Sequence, residues 1–159
     1  MSQASIPQQK LRVLIIDDAA SMRELQVSLL RNLRIRIIDV ACNGKEAFDK
    51  FIGKKQYNLI ICDWNMPKIT GLEVLQRVRD ADCEVLDEEK DEASQPTPNV
   101  NKTDTQVPFI MVTGESDKTL IVEAINAGVS DYISKPFQPQ LFVDKVCKAL
   151  KMPAPNLSE

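Results

Sequence analysis

From Asn58 to Pro67 the chain reads Asn-Leu-Ile-Ile-Cys-Asp-Trp-Asn-Met-Pro. Leu59 to Cys62 is apolar without polar alternation, the mark of a strand buried on both faces, as in a parallel sheet covered by helices. The run stops at Asp63, and Pro67 forbids an immediate helix. The strand therefore delivers one carboxylate to its own C-terminal end. In open α/β sheets that edge is where ligands bind. Taken alone, Asp63 reads equally well as a turn or cap residue.

The rest of the chain repeats the pattern. Leu11 to Ile16 predicts a first strand, ending in Asp17 and Asp18. A helix follows over about 21–32, with Ser21 and Glu24 spaced as a capping box and Met22, Leu25, Leu29 and Leu33 at helical spacing. Residues 36–41 predict strand 2. Asn43 and Glu46 open helix 2, which buries Ala47, Phe48, Phe51 and Ile52. Thr70 and Glu73 open helix 3, with Leu72, Leu75 and Val78 inward. Residues 107–112 predict strand 4, ending at Thr113. Helix 4 spans about 117–127 and is stopped by Gly128. Residues 129–134 predict strand 5, ending at Lys135-Pro136. Helix 5 starts near Pro139 and runs to about Lys151, with Phe142, Val143, Val146 and Leu150 inward. Five strands alternating with five helices predict right-handed crossovers. The expected fold is α/β: a flavodoxin-like, doubly wound parallel sheet in the order 2-1-3-4-5.

At 159 residues one domain is expected, over 11–151, with a loose lead at 1–10 and a short Pro-containing tail at 152–159. One stretch breaks the pattern. Residues 81–106 hold eight acids and two lysines, a net of −6. With −3 overall, the remainder carries +3. The first part keeps the helix 3 spacing through Leu75, Val78, Asp82 and Leu86. The second, with Pro96 and Pro98, reads as a flexible loop. This acidic insertion lies at the edge opposite Asp63, so no part in the chemistry is expected of it. It reads either as a tolerated loop or as a partner-docking element.

Composition excludes several classes. There is no His, and Cys42, Cys62, Cys83 and Cys147 form no C-x-x-C, which argues against zinc. Cys62 in the apolar run and Cys147 on the last amphipathic helix lead to the expectation of small buried thiols in a reducing compartment. No stretch approaches the roughly 20 apolar residues of a membrane span. The first residues resemble no signal peptide, so a cytoplasmic location is expected. There is no basic patch or helix-turn-helix for nucleic acid.

The strand ends carry the chemistry. Asp17, Asp18, Asp63, Thr113 and Lys135 all fall at C-terminal ends, and with strands 1, 3, 4 and 5 adjacent they can converge. Three packed carboxylates raise one another's pKa unless a cation intervenes. An all-oxygen donor set suits Mg2+ or Mn2+. A lysine and a hydroxyl beside such an ion suit a phosphoryl group, and a carboxylate can accept one.

Asp17-Asp18, Ser21-Met22-Arg23, Asp63-Trp-Asn-Met-Pro, Val112-Thr113-Gly114-Glu115, Tyr132 and Lys135-Pro136-Phe137 resemble the receiver domain of two-component response regulators, in particular stand-alone, CheY-like receivers. The resemblance covers about 11–151, apart from the acidic stretch. It implies a phosphoacceptor switch rather than an enzyme. Asp63 would take a phosphoryl group from the phosphohistidine of a sensor kinase. Asp18 and Asp63 would ligate Mg2+ directly, Asp17 through water, and Asn65 through its backbone carbonyl. Lys135 would pair with Asp63 or its phosphate, and Thr113 would hydrogen-bond the phosphate. Tyr132 would then turn inward, and Pro136 would follow a cis peptide bond. Asn65 and Glu115 would flank the path of hydrolytic water and set the phosphate's lifetime. Trp64 reads as an exposed aromatic beside the site.

The implied output is a partner protein that reads the surface of helix 4, strand 5 and helix 5. The flagellar motor switch, a phosphotransfer protein and a separate effector all fit. An aspartyl-phosphate phosphatase is a second class. It expects Asp-x-Asp after the strand, whereas Asn65 stands where the second acid belongs. A constitutive interaction module is a third, disfavoured by the intact acids and Lys135.

Overall fold

The computed structural model describes residues 7–50, 57–88, 107–114 and 118–157. After a short 3-10 turn at Gln8–Lys10 the elements are β1 (Arg12–Ile16), α1 (Ala20–Asn32), β2 (Ile37–Ala41), α2 (Gly44–Lys50) and β3 (Leu59–Asp63). They continue with α3 (Gly71–Glu88), β4 (Phe109–Thr113), α4 (Lys118–Asn126), β5 (Asp131–Ser134) and α5 (Pro139–Leu150). All strand pairs are parallel, and the order is β2-β1-β3-β4-β5. This is the expected α/β fold.

The sheet separates two cores by the twofold alternation of its strands. Val13, Ile15, Ile61, Ile110 and Val112 face one side, with Leu29 and Leu30 of α1 and Phe142 and Val146 of α5. Leu14, Ile16, Ile60, Cys62 and Met111 face the other, with Ala47 of α2, Val74 and Val78 of α3 and Ala124 of α4. The central strands are buried on both faces, so β3 and β4 are buried at every position.

Several local expectations need correction. Ser21 and Glu24 cap nothing: α1 starts at Ala20 with Ala19 at its N-cap and no side-chain cap bond. The Asp17 carboxylate substitutes, accepting from the Ala19 N–H at 2.9 Å. Leu25 is 40% exposed, and Gln26 occupies the inward position on that helix. The box at α3 forms as expected, with Thr70 N–H donating to Glu73 (2.9 Å) and Glu73 N–H to Thr70 (3.4 Å). At α2 the Glu46 N–H donates to Asn43 (2.7 Å), but Glu46 reaches back one residue further, to the Cys42 N–H. α3 continues to Glu88, so the acidic stretch begins as helix. Its remainder, 89–106, together with Phe51 and Ile52, lies outside the described residues. Gly128, at φ +95°, ends α4 as anticipated. Among the described residues, no helix is long and apolar enough to cross a membrane.

Candidate functional site

In a parallel sheet all strand C-termini share one edge, and here the order places β1, β3, β4 and β5 consecutively along it. Asp17 follows β1, and its N–H is held by the Ala41 carbonyl of β2 at 3.1 Å. Asp63 is the last residue of β3, and Thr113 is the last of β4. Lys135 follows β5, with its N–H bonded to the Thr113 carbonyl at 2.7 Å. The peptide bond from Lys135 to Pro136 is cis.

The side chains converge. Carboxylate oxygens of Asp17, Asp18 and Asp63 lie within 4.8 Å of one another. Asp17 and Asp63 are buried and Asp18 is exposed, so the cluster opens toward solvent at Asp18. Lys135 Nζ stands 3.3 Å from Asp63 and 3.6 Å from Asp17. Burial raises the Asp63 carboxyl above its usual range, and the neighbouring Asp17 charge adds to this. The Lys135 ammonium and the Asn65 N–H, the latter 3.4 Å from Asp63 Oδ1, pull the other way. One lysine therefore leaves the acids short of positive charge. The three carboxylates are close, hard oxygen donors with one open side, a set that fits a small divalent cation such as Mg2+.

Thr113 is buried beside this cluster. Behind it, a cavity of about 10 Å³ is lined by Trp64, Met111, Thr113, Leu120, Ala124 and Tyr132, among others. It has room for one water at most. Tyr132 is 37% exposed, with the Lys145 ammonium 5.5 Å from its ring centroid. Trp64 differs from expectation. It is only 7% exposed, because its N–H is tied to Val112 and its carbonyl to Gly71, which turns the indole under α4. Asn65 is exposed next to Asp63. Glu115 lies outside the described residues.

Sequence reading missed three supports. Arg23 donates to the Asp17 carbonyl at 2.7 Å, fixing the start of α1. Gly71 packs so tightly on the turn after β3 that a Cβ there would sit 2.6 Å from the Asp63 carbonyl oxygen. Gln26 is buried and its Nε2 lies 3.5 Å from Asp17 Oδ2. Its signal was present: Gln26 stands four residues after Met22 and three before Leu29, inside the apolar stripe.

The fold and site define a class. The family described as "Response regulator receiver domain" matches residues 13–86 and 95–147, and the chain belongs to this family. It is 33% identical over 136 residues to the "Chemotaxis protein CheY homolog" of Campylobacter jejuni, covering 86% of this chain and 89% of that one. It is 31% identical over 138 residues to the "Chemotaxis protein CheY" of Pseudomonas aeruginosa, covering 87% and 94%. The structure of the chemotaxis response regulator CheY4 of Vibrio cholerae superposes with a TM-score of 0.66 at 24% identity, covering 87% of this chain and 98% of that one. The last likeness bears on the fold alone.

Proposed function

We propose that this receiver is a phosphorylation-dependent switch in chemotaxis signalling, with Asp63 as the phosphoacceptor. The observation that carries the reading is the convergence of Asp17, Asp18, Asp63 and Lys135 at one strand edge. An Asp63 carboxylate oxygen attacks the phosphorus of a kinase phosphohistidine. A P–O bond forms, the P–N bond breaks, and the imidazole leaves. Asp18 and Asp63 directly, Asp17 through water and Asn65 through its backbone carbonyl would hold Mg2+. When bound, the ion neutralises charge on the transferred phosphoryl oxygens. Lys135, already 3.3 Å from Asp63, neutralises the same oxygens from the β5 side. The Thr113 hydroxyl donates to the new phosphate.

Thr113 and Tyr132 line one cavity, so a shift of Thr113 toward the phosphate opens space for the Tyr132 ring. That ring leaves the face formed by α4, β5 and α5, where Val122 and Ile125 are also exposed. A partner protein reading this face, such as the flagellar motor switch, senses the change. Asn65 and Glu115 set how fast water removes the phosphate.

The test is incubation with acetyl phosphate and Mg2+, followed by intact mass. One added phosphoryl group, lost in Asp63→Asn and without EDTA-resistant labelling, is the expected result. Labelling that survives Asp63→Asn refutes the assignment. Continuous turnover of phosphodonor far beyond one equivalent, with no labelled protein, points to a phosphatase instead.

A further inference from the structure

α1 buries Gln26, Leu29 and Leu30, and Gln26 alone of these is polar. It is 1% exposed, and its Oε1 is buried with no hydrogen-bond partner among the described residues. A leucine at this position would continue the stripe and leave nothing unpaired. An unpaired buried amide oxygen is destabilising, because it gives up water for nothing. Turning the amide over would not help, since it would press Oε1 against the Asp17 carboxylate. The N–H group must face Asp17, and the orphaned oxygen follows from that.

The Asp17 carboxylate shows what the amide does. Its Oδ1 is held by the Ala19 N–H at 2.9 Å. Its Oδ2 has two longer partners, Gln26 Nε2 at 3.5 Å and Lys135 Nζ at 3.6 Å. Lys135 is shared, because it also stands 3.3 Å from Asp63. Without Gln26, Oδ2 would draw on Lys135 alone and compete with Asp63 for it. We propose that Gln26 is a positioning residue, which orients Asp17 from the core side for the cation and keeps Lys135 available to Asp63. This rests on the cation-assisted phosphoacceptor reading above. Partners that orient a ligand from behind commonly govern metal affinity by ten- to a hundred-fold.

The inference predicts opposite signs for stability and for binding. Gln26→Met keeps the volume and removes both the donor and the orphan. Gln26→Leu is the second variant, should the flexible Met repack. Each is compared with the unaltered chain by thermal unfolding in EDTA and by Mg2+ titration, read by calorimetry and by Trp64 fluorescence. The expected result is a melting temperature raised by about 3 °C with a Mg2+ dissociation constant weakened roughly ten-fold. A raised melting temperature with unchanged Mg2+ affinity overturns the inference and leaves Gln26 a packing residue. A lowered melting temperature in both variants also overturns it, because the orphaned oxygen would then be no burden. Absence of saturable Mg2+ binding by the unaltered chain is a separate outcome, which removes the functional reading and the inference with it.

Discussion

Gly71→Ala tests how tightly the turn after β3, which carries Asp63, is held. An added Cβ would meet the Asp63 carbonyl oxygen at 2.6 Å, Met111 Sδ at 2.7 Å and Trp64 Cα at 2.9 Å. Ordinary contact starts at 3.4 Å, so relief needs a movement of about 0.8 Å. The methionine can swing away. The other two atoms are backbone, and the Gly71 N–H is itself bonded to the Trp64 carbonyl at 3.0 Å. α3 must therefore retreat, or the turn carrying Asp63 must shift. Overpacking of this kind costs about 1–3 kcal/mol. Alanine's better helix propensity returns up to about 1 kcal/mol in a helix interior, and less at a first helical position. The balance is destabilising by about 1–2 kcal/mol, or roughly 2–8 °C in melting temperature for a chain of this size. Because the shift falls on Asp63, acetyl phosphate labelling should slow by about ten-fold or more, as a misplacement near 1 Å can cost about a hundred-fold. Gly114 is the control. It also sits at a strand end, but among the described residues a Cβ there meets nothing within 4 Å, so Gly114→Ala should stay within about 0.5 kcal/mol. Circular dichroism melts and timed intact-mass labelling read both effects. A Gly71→Ala protein that melts and labels like the unaltered chain refutes the reasoning, as does a Gly114→Ala protein that falls equally far.

Three further measurements probe other elements. The folded-state pKa of Asp63 is raised, so its contribution to stability is present below the unfolded carboxyl pKa and lost as pH rises through the folded value. Asp63→Asn in EDTA should therefore be more stable than the parent at pH 7 and indistinguishable from it near pH 4. Equal urea midpoints at pH 7 would count against this. Arg79 is buried and donates twice to the Gly128 carbonyl (3.0 and 2.8 Å) and once to Val107 (2.6 Å). Arg79→Met should cost about 2–4 kcal/mol, measured by urea unfolding, because half-buried carbonyls lose a charged donor; a loss below 1 kcal/mol contradicts that role. Finally, Gln140 accepts from the Leu157 N–H at 2.8 Å and donates to the Pro155 carbonyl at 3.0 Å, pinning the segment after α5. Hydrogen exchange at the Leu157 amide should be protected and should accelerate in Gln140→Ala; equal rates show that the segment is not docked.

The strand and helix pattern was legible because a doubly covered parallel sheet imposes it. Leu59–Cys62 must be apolar throughout, and each strand must hand over to a helix-length segment. The acids were legible for the same reason, since the topology places every strand end on one edge. Three-dimensional choices were less so. Ser21 and Glu24 have capping spacing, yet Asp17 captures the Ala19 N–H first and starts the helix one residue earlier. Trp64 follows the acid that ends β3, but the ties of its backbone to Val112 and Gly71 turn it inward. Leu25 is exposed where an inward position was expected, and Gln26 is buried instead, because a polar side chain can occupy an apolar stripe when a carboxylate lies behind it.

These departures share a location. Asp63 is buried with a raised pKa, and Gln26 carries an oxygen with no partner among the described residues. The two sit at the ends of the adjacent strands β3 and β1, Gln26 through its contact with Asp17. Elsewhere the described core is mostly apolar, with glycine after α4 and a reciprocal cap at α3, and the buried Arg79 is matched by carbonyl partners. A protein selected for stability alone would have no reason to concentrate its unfavourable choices there. The same choices are coherent if that edge must keep its carboxylates ready for a cation and a phosphoryl group. Removal of the burden at each position should therefore stabilise the metal-free fold at Asp63 and Gln26, while weakening what the edge binds.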